Sequence, residues 1–122
     1  MKRISWIILC AITFLITDTA VANTLVANEK EAIDIVIKNV IANGLLYSNT
    51  PKECLGYAVI DSTNLVYNIG ISEHHGGKCG GDPRVQPIVV RLRVERTTGK
   101  LLWYDAVDGE YVDQPPHHLI SK

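Results

Sequence analysis

Two stretches of this chain alternate apolar and polar side chains at a period of two. In the first, Leu65, Tyr67, Ile69 and Ile71 are interleaved with Val66, Asn68, Gly70 and Ser72. In the second, Ile88, Val90, Leu92 and Val94 alternate with Val89, Arg91, Arg93 and Glu95. Successive strand residues point to opposite faces, so each stretch reads as a half-buried strand with one face in a core and one in solvent. Leu55 to Ile60 is a further apolar and aromatic run, joined to the first strand by the polar turn Asp61-Ser62-Thr63-Asn64. Leu101 to Asp105 returns after Thr97-Thr98-Gly99-Lys100, a tight turn in which Gly99 is free to take positive φ. A short turn or edge strand is expected near Gly109 to Val112.

Ahead of these strands lies one convincing helix, Asn28 to about Asn43. Ile33, Val36, Ile37, Val40 and Ile41 follow the spacing of a single apolar helix face. Asn28 is a good N-cap, Glu31 can complete a capping box, and Gly44 supplies the residue that ends the helix. Asp34 and Lys38 are spaced to pair across one turn on the wet side. The fold class is therefore α+β: one N-terminal helix packed on an antiparallel sheet of about four strands, with one disulfide.

The first 22 residues read as a secretory signal peptide. Lys2 and Arg3 give a positive start, Ile4 to Ile16 an apolar stretch, and Ala20-Val21-Ala22 a small-residue cleavage site. The stretch is shorter than the ~20 residues a membrane span needs, and Cys10 sits inside it rather than at the end, where lipidation occurs. Cleavage near Ala22 places the product in the periplasm or outside the cell, with no stable membrane insertion. The organisation is then a leader at 1–22, one α+β domain at 23–114 and a tail at 115–122 holding Pro115, Pro116, His117 and His118.

Cleavage removes Cys10 and leaves Cys54 and Cys79. An even count in an oxidising compartment implies a bridge between them. The alternative is a metal shared by these thiols and histidines. Cys54 has no second cysteine close by, however, and no Cys-x-x-Cys occurs.

Val94 to Asp105, reading VERTTGKLLWYD after a helix and strands, resembles the PepSY-type domain. Those modules are small and extracytoplasmic, and their last hairpin turns at a Thr-Gly. The segment between the cysteines departs from that family's compact pattern. The resemblance implies a binding role, as PepSY modules are associated with restraining extracellular enzymes.

Composition excludes several function classes. The precursor carries a formal charge of −1, and loss of Lys2, Arg3 and Asp18 with the leader takes it to −2. Such a chain lacks the basic field of a nucleic-acid binder and the Lys/Arg clusters that hold anionic membranes. No phosphate loop, dinucleotide fingerprint, zinc spacing or Gly-x-Ser-x-Gly elbow is present. Neither a cofactor nor an enzymatic activity is expected.

The densest polar constellation is the loop Glu73 to Arg84, with His74, His75, Asp82 and four glycines. A loop longer than a hairpin needs, tied by a cysteine, suits recognition. Arg91 and Arg93 line the outer face of the clearest strand and add candidate partner contacts. The expectation is a secreted or periplasmic protein that binds another envelope protein, as an inhibitor or immunity-type protein acting on an envelope enzyme. The alternative is a small-ligand or metal-binding protein using the histidines of loop 73–84. Neighbouring His74 and His75 on an extended strand would point apart, which disfavours a dedicated metal site.

Overall fold

The structure, a computed structural model, describes residues 25–46 and 49–120. The predicted leader and its cleavage site lie outside the described residues. Helix α1 spans Glu29–Val36, and strands β1 to β5 span Leu55–Ser62, Val66–Glu73, Ile88–Glu95, Leu101–Asp105 and Glu110–Val112. They form one antiparallel meander in which each strand pairs with its neighbour in sequence. The sheet thus has five strands rather than four. Glu110–Val112 completes it, with Tyr111 opposite Tyr104 and Val112 opposite Trp103. The helix opens at Glu29 and is not at the start of the chain.

Asn28 is the N-cap: its side chain accepts from the Glu31 amide at 3.0 Å, while the Glu31 carboxylate accepts from the Ala27 amide at 2.8 Å. Four orphan amides open any helix, and these bonds satisfy part of that demand. After Val36 the winding loosens into a π-type segment over Ile37–Ile41, and Gly44 follows at φ 63°. The wider turn rotates the apolar face away from ideal α spacing. Ala32, Val36, Val40 and Ile41 are buried, whereas Ile37, expected in the core, is 37% exposed. Asp34 pairs with Lys30 at 2.8 Å rather than with Lys38.

The buried face of the sheet carries Leu55 from β1, Tyr67, Ile69 and Ile71 from β2, Val90, Leu92 and Val94 from β3, and Trp103 from β4. The alternation assigned Tyr67, Ile69, Ile71, Val90, Leu92 and Val94 to this side correctly, but Leu65 and Ile88, expected beside them, are 71% and 46% exposed: β2 begins only at Val66, and a register shift past the Ile71–Val90 pair sets Ile88 opposite Ser72 on the other face. Helix α1 contacts β1, β2 and β3 across this face. The chain ahead of the helix is pinned too: the buried Val26 donates its amide to the Arg96 carbonyl at 2.9 Å. The Arg96 guanidinium lies 4.0 Å above the Tyr67 ring and closes that end of the core. Its Nε has no hydrogen-bond acceptor among the described residues, so the ring face is the compensating contact.

Strand β1 runs into the expected turn as far as Ser62, and the reversal is made within it by Thr63, whose hydroxyl accepts from the Leu65 and Val66 amides. Beyond Pro116, where the sequence reads as a tail, His117–Ile120 forms a helical turn, α2, and Leu119 packs against the core. No helix among the described residues is long and apolar enough to cross a membrane.

Ile69 is fully buried between the helix and the neighbouring strands. Ile69→Ala is expected to remove about 2–5 kcal/mol of stability in urea unfolding. Leu65→Ala, at a side chain 71% exposed, is expected to stay within about 0.5 kcal/mol of wild type.

Candidate functional site

The face of the sheet turned away from α1 carries a continuous set of polar and aromatic contacts. Asn68 on β2 donates its amide to Asp61 on β1 and accepts from Arg93 Nε on β3 at 2.8 Å. The Arg93 guanidinium lies 3.8 Å from the centroid of the Tyr111 ring on β5. Tyr111 in turn meets Tyr104 on β4, with centroids 5.3 Å apart and planes tilted by 57°. An amide both donates and accepts, so Asn68 links a carboxylate to a guanidinium that does not touch it. Each side chain is held by its neighbour, and the set spans all five strands.

A one-residue irregularity in β1 makes this possible. Val59 pairs with Ile69 but Asp61 pairs with Asn68, leaving Ile60 as the extra residue of a β-bulge. Without it, the period of two would turn Asp61 toward the core face. Ile60 itself folds over Gly70: a Cβ at that glycine would stand 3.0 Å from Ile60 Cδ1 and 3.3 Å from Ile88 Cγ2. The open face is therefore apolar around Ile60 and Ile88, which are 43% and 46% exposed, and polar-aromatic beside them.

The loop after β2 sits at one end of this face. Cys54 and Cys79 are bridged, with α-carbons 5.6 Å apart, and the His74 amide donates to the Cys54 carbonyl at 2.7 Å. The loop folds tightly because Gly76, Gly77, Gly80 and Gly81 all take positive φ, between 54° and 106°, a region that costs other residues strain. The His74 ring lies over Gly56, so close that a Cβ there would stand 2.2 Å from Nε2. His75 instead lies over Gly81, with Nε2 3.3 Å from Glu73 Oε2. Glu73 also accepts from the Thr50 hydroxyl at 2.8 Å. That bond, followed by the one to His75, holds the Glu73 carboxyl below its ordinary pKa.

Asp82 and Arg84 satisfy each other through two side-chain bonds, at 3.1 and 3.0 Å, and the Arg84 amide donates to the same carboxylate. The Arg84 side chain lowers the Asp82 pKa, aided by that amide. Of the residues expected to meet a partner, Arg91, Arg93 and His74 share the open face of the sheet. His75 turns toward Glu73, and no hydrogen bond or ion pair among the described residues joins Asp82 or Arg84 to Arg91 or Arg93. Among the described residues, no three His, Cys, Asp or Glu side chains converge on one point. Asp61, Asn68 and Tyr111 were not singled out by sequence reasoning. The signal for them is cross-strand register, which the bulge at Ile60 obscures.

Comparison with known proteins returns no matching family, no similar curated protein and no similar solved structure.

Because the folded-state pKa of Glu73 is depressed, its contribution to stability is fully present above the unfolded value, near 4.5, and is lost as pH falls through the folded value. The stability advantage of wild type over Glu73→Gln, measured by urea unfolding, is expected to be constant from pH 7 to 5. It should shrink progressively below about pH 4.5. Replacing both Cys54 and Cys79 by Ser is expected to cost about 2–4 kcal/mol in the same assay.

Proposed function

We propose that this protein is an exported, non-enzymatic module that binds another protein of the cell envelope and restrains it, as an inhibitor or immunity-type protein does. One observation carries the reading: a preorganised Arg–Tyr surface on a sheet face that no described helix covers. Arg and Tyr are the side chains that dominate interface hot spots. Here Arg93, Tyr111 and Tyr104 are already held in place by Asn68 and by one another, which reduces the side-chain entropy lost on docking. The apolar pair Ile60 and Ile88 beside them supplies area that a partner can bury.

The disulfide-tied loop flanks the same face and serves as a fixed ridge. Its internal bonds, Gly76 to Gly80 at 2.6 Å and Asp82 to Arg84, hold its shape. A Cys54–Cys79 bridge suits an oxidising compartment, which agrees with the leader read in the sequence. The likeness of the last hairpin to PepSY modules supports restraint of an enzyme rather than catalysis.

A partner recovered in stoichiometric amount from an envelope extract is the expected outcome of native purification. With that complex, Arg93→Ala and Tyr111→Ala are each expected to weaken binding by about tenfold or more, read by calorimetry. Joint replacement of His74, His75, Asp82 and Arg84 by Ala tests the loop separately. Unchanged affinity there removes the loop from the interface, and unchanged affinity in the first two variants removes the sheet face.

A further inference from the structure

We propose that the cleft where β3 parts from β4 is a pocket for the C-terminus of a polypeptide. Its carboxylate would sit on Arg91, its last aliphatic side chain would fill the hollow, and its backbone would lie along the start of β3. This rests on the protein-binding reading above and names the part of the partner that is held.

The cleft follows from the sheet's register. β3 pairs with β2 from Ile88 onward, but its pairing with β4 begins only at Leu92, opposite Trp103. Past Asp105 the chain turns away: the Gly109 amide donates to the Asp105 carbonyl at 2.8 Å, and the Val107 amide to Asp105 Oδ1 at 2.9 Å. Ile88 to Arg91 therefore have no β4 partner in the ladder. A strand with an unpaired side can take up an extended peptide as a further strand. Between the parted strands lies a hollow of about 170 Å³, bounded by Ile88, Val89, Ala106 and Leu119, with Arg91, Tyr104 and His118 also lining it.

Three properties of this hollow select the ligand. Its volume is well below the roughly 300–1,000 Å³ of sites for drug-sized molecules, so it admits a single side chain. Its apolar walls are aliphatic, which suits an aliphatic one. Its charge is positive: the Arg91 side chain makes no hydrogen bond, ion pair or ring contact with any described residue, and no Asp or Glu among the described residues lines the hollow. The carboxylate next in sequence, Asp105, is engaged by the Val107 amide. A guanidinium with no described counter-charge beside a one-residue apolar hollow matches a terminal carboxylate, to which Arg can offer paired donors. An internal peptide segment brings no main-chain carboxylate to that point.

The test uses fluorescence anisotropy of the folded protein with labelled hexapeptide pools ending in Val, Leu or Ile. Each pool is prepared as the free acid and as the C-terminal amide. The acid is expected to bind saturably and the amide about tenfold or more weaker, the usual scale for losing a charge-assisted bond. Arg91→Ala should abolish the difference between acid and amide, and Arg91→Lys should retain part of it. Both replacements are at an exposed position and are to be checked by unfolding. N-acetyl-leucine, a carboxylate without the extended backbone, should bind more weakly than the peptides. Equal binding of acid and amide overturns the proposal, as does no binding at ~1 mM or N-acetyl-leucine binding as tightly as the peptides. Loss of the purified partner with Arg93→Ala but full retention with Arg91→Ala would remove this pocket while leaving the binding face intact.

Discussion

The structure depends on one asymmetry: a single helix against a five-stranded sheet. Val36 and Val40 close over Ile69, Ile71 and Leu92, all of which are fully buried. Burying side chains of this size is worth about 1.5–3 kcal/mol each, so this contact is the main source of cohesion. One helix covers one face, and the other face must then be made of side chains that tolerate water. Asn68, Arg93 and Tyr111 meet that need by binding one another across strands, and a preorganised recognition surface follows from the same requirement. Fold and proposed site are thus two outcomes of one burial pattern.

Much of this was legible in the residues. The alternation in Tyr67–Ile69–Ile71 and Val90–Leu92–Val94 located β2 and β3 and divided their faces correctly, because a period of two leaves little freedom once one face is buried. Asn28 and Gly44 bracketed the helix through capping chemistry that is local. Cys54 and Cys79 paired as their even count required. Features set by the register of distant residues were hidden. The bulge at Ile60 has no marker in its neighbours, so Asp61 read as a turn residue instead of the partner of Asn68. β5 is three residues long, so the residues from Gly109 to Val112 suggested a turn or an edge strand without choosing between them. Lys30 and Lys38 are equally spaced from Asp34, and helical spacing alone does not choose between them.

The candidate site divided along the same line. Arg91 and Arg93 were recognisable from their place on the polar side of a strand. Their different situations were not: Arg93 is locked between Asn68 and Tyr111, while Arg91 stands free of described partners beside a hollow. That difference comes from where β4 parts from β3, ahead of a turn fixed by Asp105 and Gly109. In the loop, the histidines are adjacent in sequence, yet His74 settles on Gly56 and His75 on Gly81. The glycines that receive them decide the outcome.

The disulfide closes one hairpin of the meander and no other part of it. Cys54 immediately precedes β1 and Cys79 follows shortly after β2, so the hairpin of these two strands alone brings both sulfurs together. The bridge therefore fastens β1 and β2 to one another covalently and leaves β3, β4 and β5 held by pairing and packing.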